Sequence, residues 1–278
     1  MKQAFVFLSI ILFATSALAL ESPWEQKLPF KSATINYDVS GMMSGSKTIF
    51  VKDYGRTSAE YKETALKIFG MKQEQKEFIL TTPDWEYTAD LVANTGTKNA
   101  SMEKYLTLEF NQLSRSDQKK VIKNAEEQGV SMLEGMEGSL EKNAKKILGY
   151  SCDKATIMGT VVYTINGTSL PLKTESSTLR MKYNEVATSI NKGRVDDSKF
   201  ELPSNINFKY DAGTDEQIHA QAKMIIQQLV SGQTANVSAT AKPGQKGASA
   251  NEAQQNQLTP EQNQQLQGLM KMFGGQGD

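Results

Sequence analysis

Cysteine and histidine are nearly absent from this chain: one of each, Cys152 and His219, among 278 residues. A lone cysteine makes no internal disulfide and excludes a cysteine-rich zinc site. A lone histidine excludes histidine-rich metal sites and makes any imidazole-dependent triad rest on one residue. An excess of charge of one sign is missing too. The 31 basic side chains match the 31 acidic ones, so there is neither the basic surplus of a nucleic-acid binder nor the acidic surplus of a self-repelling chain. No G-x-S-x-G elbow, G-x-x-x-x-G-K-[ST] loop or H-E-x-x-H pair occurs. No catalytic residue, metal or cofactor is therefore expected.

Long apolar runs are scarce as well. The longest, AFVFLSIILFA over residues 4–14, is too short to cross about 30 Å of hydrocarbon. It follows Lys2 and precedes Ala17-Leu18-Ala19, the small residues a signal peptidase accepts. Residues 1–19 are expected to be a cleaved signal peptide and the protein to be periplasmic or secreted. No cysteine stands at the cleavage point, so no lipid anchor is expected there.

Beyond this leader the chain is patterned for strands. Ala33, Ile35, Tyr37 and Val39 alternate with polar residues, as a half-buried strand requires. Gly41-Met42-Met43-Ser44-Gly45 predicts a turn. Further strands are expected at 47–54, 56–61, 77–82, 85–91 and, more weakly, 104–110. Between residues 114 and 148 the period changes. Ser114 with Asp117 and Gln118 predicts a helix start, and Gly129 a stop. Leu133, Met136, Leu140, Ala144 and Ile147 recur at helical spacing. Strands return after Gly149. Asn166-Gly167 between apolar runs predicts a hairpin turn, since both positions must tolerate positive φ. Strands are then expected at 168–172, 178–183 and 185–190, with 195–203 closing the sheet. Thr214 and Gln217 predict a capping box for a helix over 214–231, with Ile218, Ala222, Ile225 and Leu229 on one face.

Residues 232–258 carry almost no large apolar side chains and are expected to be a disordered linker. Thr259-Pro260-Glu261-Gln262 then predicts a capped helix over 259–273. Its stripe of Leu266, Leu269, Met270 and Phe273 is a candidate docking surface for an envelope protein.

Cys152 and His219 are most simply a small strand residue and a helix-boundary residue. The 12 methionines are more informative. An unbranched thioether repacks easily, so Met132 and Met136, with Leu133 and Leu140, are candidates for the lining of an apolar ligand site.

The stretches INYDVSGMMSGSKTIFVKDYGRTSAEY, ILGYSCDKATIMGTVVYTINGTSLPLKTE and VDDSKFELP resemble the periplasmic lipoprotein-carrier superfamily (LolA/LolB-like), in its uncharacterised exported branch. The resemblance covers about residues 30–205. It implies a mainly β, α+β fold: a curved antiparallel sheet or half-open β-barrel with a helical insertion, here 114–148, over one face. It also implies a non-catalytic exported protein holding a lipid or acyl chain. The alternative is a structural or interaction module of the cell envelope acting through its tail helix.

Overall fold

The computed structural model describes residues 22–24, 27–68, 71–135, 138–157, 159–178 and 181–232. The expected signal peptide, linker and tail helix, with Leu266, Leu269, Met270 and Phe273, lie outside the described residues, as does Met136.

Six strands come first: β1 (Ala33–Gly41), β2 (Met43–Lys52), β3 (Thr57–Ile68), β4 (Met71–Thr81), β5 (Trp85–Asp90) and β6 (Thr95–Ala100). Two helices come next, α1 (Met102–Asn111) and α2 (Arg115–Gly135). A second set of strands comprises β7 (Ser139–Ile147), β8 (Tyr150–Ile157), β9 (Thr160–Ile165), β10 (Pro171–Thr178) and β11 (Met181–Lys192). The short β12 (Phe208–Tyr210) leads into α3 (Ala212–Ser231). The strands form one open, twelve-stranded sheet in the order β12-β6-β5-β4-β3-β2-β1-β11-β10-β9-β8-β7. All described pairings are antiparallel except β12 with β6. The protein is therefore α+β, mostly β. Two meanders join where β1 pairs with β11.

The glycines of the first turn are there for close approach. A Cβ on Gly41, at φ +112°, would strike the Lys182 carbonyl, and one on Gly45 would strike the backbone of Glu63. A hairpin forms at Asn-Gly, but not as the two-residue turn expected: Thr168 N–H donates to the Ile165 carbonyl at 2.9 Å and Ile165 N–H to the Leu170 carbonyl at 3.0 Å, Gly167 but not Asn166 takes a positive φ, and the strand that follows is Pro171–Thr178 rather than 168–172.

Apolar residues divide between the two faces of the sheet. On the first face Ala33, Ile35, Tyr37, Ile49, Val51 and Ala187 form a cluster closed by Leu28 and Phe30. On the second, Phe50, Tyr61, Phe78 and Leu80 pack under Phe200, Ile206 and Phe208, which belong to the crossover from β11 to β12. The helices pack chiefly on one another through Leu106, Phe110, Val121, Ala222, Ile226 and Leu229. Among the described residues no helix is long and apolar enough to cross a membrane.

Several expectations are corrected. Residues 104–110 are helical, because Ser101 caps α1 by accepting from Lys104 N–H. The helical stretch covers α1 and α2 rather than 114–148, and α2 runs past Gly129. Leu140, Ala144 and Ile147 lie on strand β7, whose pairing with β8 slips between Glu141 and Lys145. That slip accommodates the uneven spacing that resembled a helical stripe. The strand expected at 178–183 is divided: Thr178 ends β10 and Met181 begins β11. Residues 195–203 close no strand: Asp197–Phe200 is a 3-10 turn capped by Asp196. Asp211, not Thr214, caps α3, accepting from Gly213 and Thr214 N–H.

Candidate functional site

Directly paired residues of an antiparallel sheet point to the same side. The register therefore defines one row across nine strands of the first face: Leu140, Ala155, Val162, Thr174, Glu185, Val39, Gly45, Thr64 and Gln75. The row changes character along its length. From β7 to β9 it is apolar; from β10 to β4 it is mostly polar.

The polar half holds a buried charge cluster. Lys47 is 6% exposed and Glu185 5%. The Lys47 ammonium pairs with Glu185 Oε1 and lies 3.7 Å from Glu60 Oε2. It sits 4.5 Å from the centre of the Tyr37 ring. The Tyr37 hydroxyl donates to the Pro171 carbonyl at 2.8 Å, and the Tyr183 hydroxyl donates to Glu185 Oε2 at 2.6 Å. Lys62, the direct neighbour of Lys47 on β3, reaches over β2 and β1 to within 5.6 Å of the Tyr183 ring.

Burial dominates the electrostatics. It is the largest effect on Glu60 and raises its carboxyl above the ordinary value; Lys47 opposes the rise and Glu185 adds to it. Burial, then Glu185 and Glu60, pushes the Tyr37 hydroxyl well up. Because folded Glu60 holds its proton more tightly than unfolded Glu60, its contribution to stability falls as pH rises through the raised value. Glu60→Gln is expected to be as stable as wild type near pH 4 and more stable near pH 7.5, measured by urea unfolding. The same stability difference at both pH values would contradict this reading of Glu60.

Of the expected lining residues, Leu140 lies in this row, half-buried at the β7 margin. Met132 and Leu133 fall in the last turns of α2. They are not brought together with Leu140 on one helix face, as their spacing predicts. The charge cluster was not anticipated, although the pattern carried a signal. Lys47 takes an inward position in the alternation with Ile49 and Val51, and Glu185 does so with Ala187.

The remaining reactive groups have structural partners. Cys152 is fully buried, and burial raises its thiol. His219 stacks on Tyr105 at 4.3 Å and its Nε2 lies 2.9 Å from Glu109 Oε1. The Tyr105 hydroxyl donates to Asp215 Oδ2 at 2.6 Å, chiefly because of which it is pushed up to about 12. These contacts fasten α3 to α1. Among the described residues, no group of three or more His, Cys, Asp or Glu side chains is placed to hold a metal ion.

No family model matches the chain. No curated protein matches it. Among solved structures, an uncharacterized conserved protein from Thermus thermophilus is similar at a TM-score of 0.36 and 10% identity, over 65% of this chain and 91% of its own. PNGF-II is similar at a TM-score of 0.30 and 15% identity, over 69% of this chain and 33% of its own. Likeness at this level carries no argument about function.

Proposed function

We propose that this is an exported, non-catalytic binding protein that holds a hydrophobic ligand, such as a lipid or acyl chain, in the hollow of a curled sheet. The observation that carries the reading is connectivity. The chain leaves β6, next to one margin of the sheet, passes through α1 and α2, and re-enters at β7, the opposite margin. The helices also touch both ends: α3 packs on β6, α2 meets β7, and α2 and α3 pack together. In a flat sheet the strands from β6 to β7 would span roughly 48 Å at about 4.8 Å per step. Packed helices lie only about 8–10 Å apart. A sheet curled so that both margins approach the helices would be a half-open barrel. Leu140, Ala155 and Val162 offer the ligand apolar positions on the first face.

Native mass spectrometry of protein purified from its own host tests this. A species heavier than the polypeptide by one lipid-sized molecule is expected. The apolar fluorophore N-phenylnaphthylamine should brighten on binding the emptied protein and be displaced by dodecanol. Bare polypeptide together with no fluorophore binding would overturn the proposal.

A further inference from the structure

One end of the sheet gathers basic side chains and exposed apolar tips. Three segments meet there: residues 28–32 before β1, the β2-β3 turn, and the stretch after β11. Backbone hydrogen bonds stitch them together. Leu28 N–H donates to the Tyr54 carbonyl at 2.8 Å, Tyr54 N–H to the Lys31 carbonyl at 2.9 Å, and Gly193 N–H to the Ser32 carbonyl at 3.2 Å. The β7-β8 turn, with Leu148, joins them through Tyr150. The Tyr150 ring lies 5.9 Å from the Phe30 ring and 5.2 Å from the Lys192 ammonium.

Two observations mark this end. The first is backbone strain. Among the described residues, Asp53, Tyr54, Asn94, Asn143 and Leu148 have positive φ without being glycine. Aspartate and asparagine tolerate that region; tyrosine and leucine are bulky and occupy it only under strain. Tyr54 stands at φ +60° and Leu148 at φ +48°, and they are 45% and 42% exposed. Neither belongs to a core cluster. Strain of this kind collects at functional sites. The second observation is charge. Lys31, Arg56, Lys192 and Arg194 are exposed, and none of them enters an ion pair among the described residues. Of the acidic groups in the same segments, Asp197 pairs with Lys52 at 3.2 Å and Asp196 accepts from Ser198 N–H at 2.9 Å, while Asp53 and Glu201 are exposed. Lys199, and Lys146 at the end of β7, add to the basic side. In a chain whose charges balance overall, this end is locally positive.

We propose that this end of the sheet docks on an anionic lipid surface. Tyr54 and Leu148 enter the interface, where an amphipathic ring or an aliphatic tip leaves water. Lys31, Arg56, Lys192 and Arg194 face the lipid phosphates. A bilayer fits better than an acidic polypeptide because the tips stand on separate turns, with Lys31 beside the first and Lys192 beside the second, so the partner must be broad. The surface is independent of the ligand proposed for the hollow of the sheet.

Sedimentation with vesicles tests this, using protein and variants purified from the protein's own host. Vesicles of equal parts phosphatidylglycerol and phosphatidylcholine are expected to bind about tenfold more tightly than phosphatidylcholine alone, a preference that shrinks as salt screens the charges. Replacing both Arg56→Gln and Arg194→Gln should weaken that binding by about tenfold or more, since each cation near an anionic surface contributes about fivefold. Tyr54→Gly and Leu148→Gly should each weaken it several-fold without lowering the urea midpoint, because glycine fits their positive φ. Equal binding to both vesicles, binding to neither, or binding that these substitutions leave unchanged overturns the proposal. A dimer that Tyr54→Gly dissociates, in a protein that binds no vesicle, assigns this end to a second copy of the chain and overturns it as well.

Discussion

Lys47→Met is expected to destabilise the protein by about 3–5 kcal/mol, the scale for removing one partner of a buried ion pair. Methionine keeps most of the side-chain length, so the cost comes from charge rather than from a cavity. Glu185 and Glu60 lose the ammonium between them, and both stay inside. Two buried carboxylates without it repel each other and lack the solvation that water gave them in the unfolded chain. The loss should read as a lower urea midpoint at unchanged slope. It should shrink in acid, where both carboxylates take up protons. Replacing all three charges, with Lys47→Met, Glu60→Leu and Glu185→Leu, is expected to restore stability to near wild type, since an apolar face then replaces a satisfied cluster. A single Lys47→Met variant that costs under about 1 kcal/mol, as exposed pairs do, would mean that water reaches this cluster freely.

The elements legible in the sequence are those whose local pattern and tertiary role agree. β1 alternates because one side of it lies in the first-face cluster, and Gly167 at positive φ helps turn the chain between β9 and β10. In α3, Ala222 and Leu229 are buried as their spacing requires, and Gly232 ends the helix in the left-handed conformation at φ +70°. Other elements are set by their surroundings. β6, TGTKNA, has no apolar alternation; it is a strand because β5 and β12 pair with it. The α1 sequence has Leu106, Leu108 and Phe110 alternating with Thr107 and Glu109, so it also fits a strand; the Ser101 cap and the packing of Tyr105, Leu106 and Phe110 with α2 and α3 favour the helix. β7 is charged along an open edge, as edge strands are when they avoid further pairing, and that composition hides it. In the candidate site, Leu140 was legible as apolar. The charge cluster was not, because Lys47, Glu60 and Glu185 lie far apart in the chain, and only the β2-β1-β11 and β2-β3 pairings bring them together.

Phe110→Ala is expected to cost about 3–5 kcal/mol, the range for emptying a buried aromatic site. Phe110 is fully buried on α1 and meets the Trp24 ring edge to face at 5.4 Å. It belongs to the cluster that joins α1 to Val121 of α2 and to Ala222, Ile226 and Leu229 of α3. That cluster is separate from those on the two faces of the sheet. Loss of Phe110 should therefore loosen the helices before the strands. In urea, tryptophan emission and helical circular dichroism are expected to change at lower concentration than the strand signal. Phe78→Ala, in the second-face cluster, should instead weaken the sheet itself. If the helices close over the inner face, Phe110→Ala should also reduce N-phenylnaphthylamine binding at urea concentrations where the strand signal is intact. Binding that persists after the helical signal has gone would place the ligand site outside the helical layer and would separate the two halves of the proposed function.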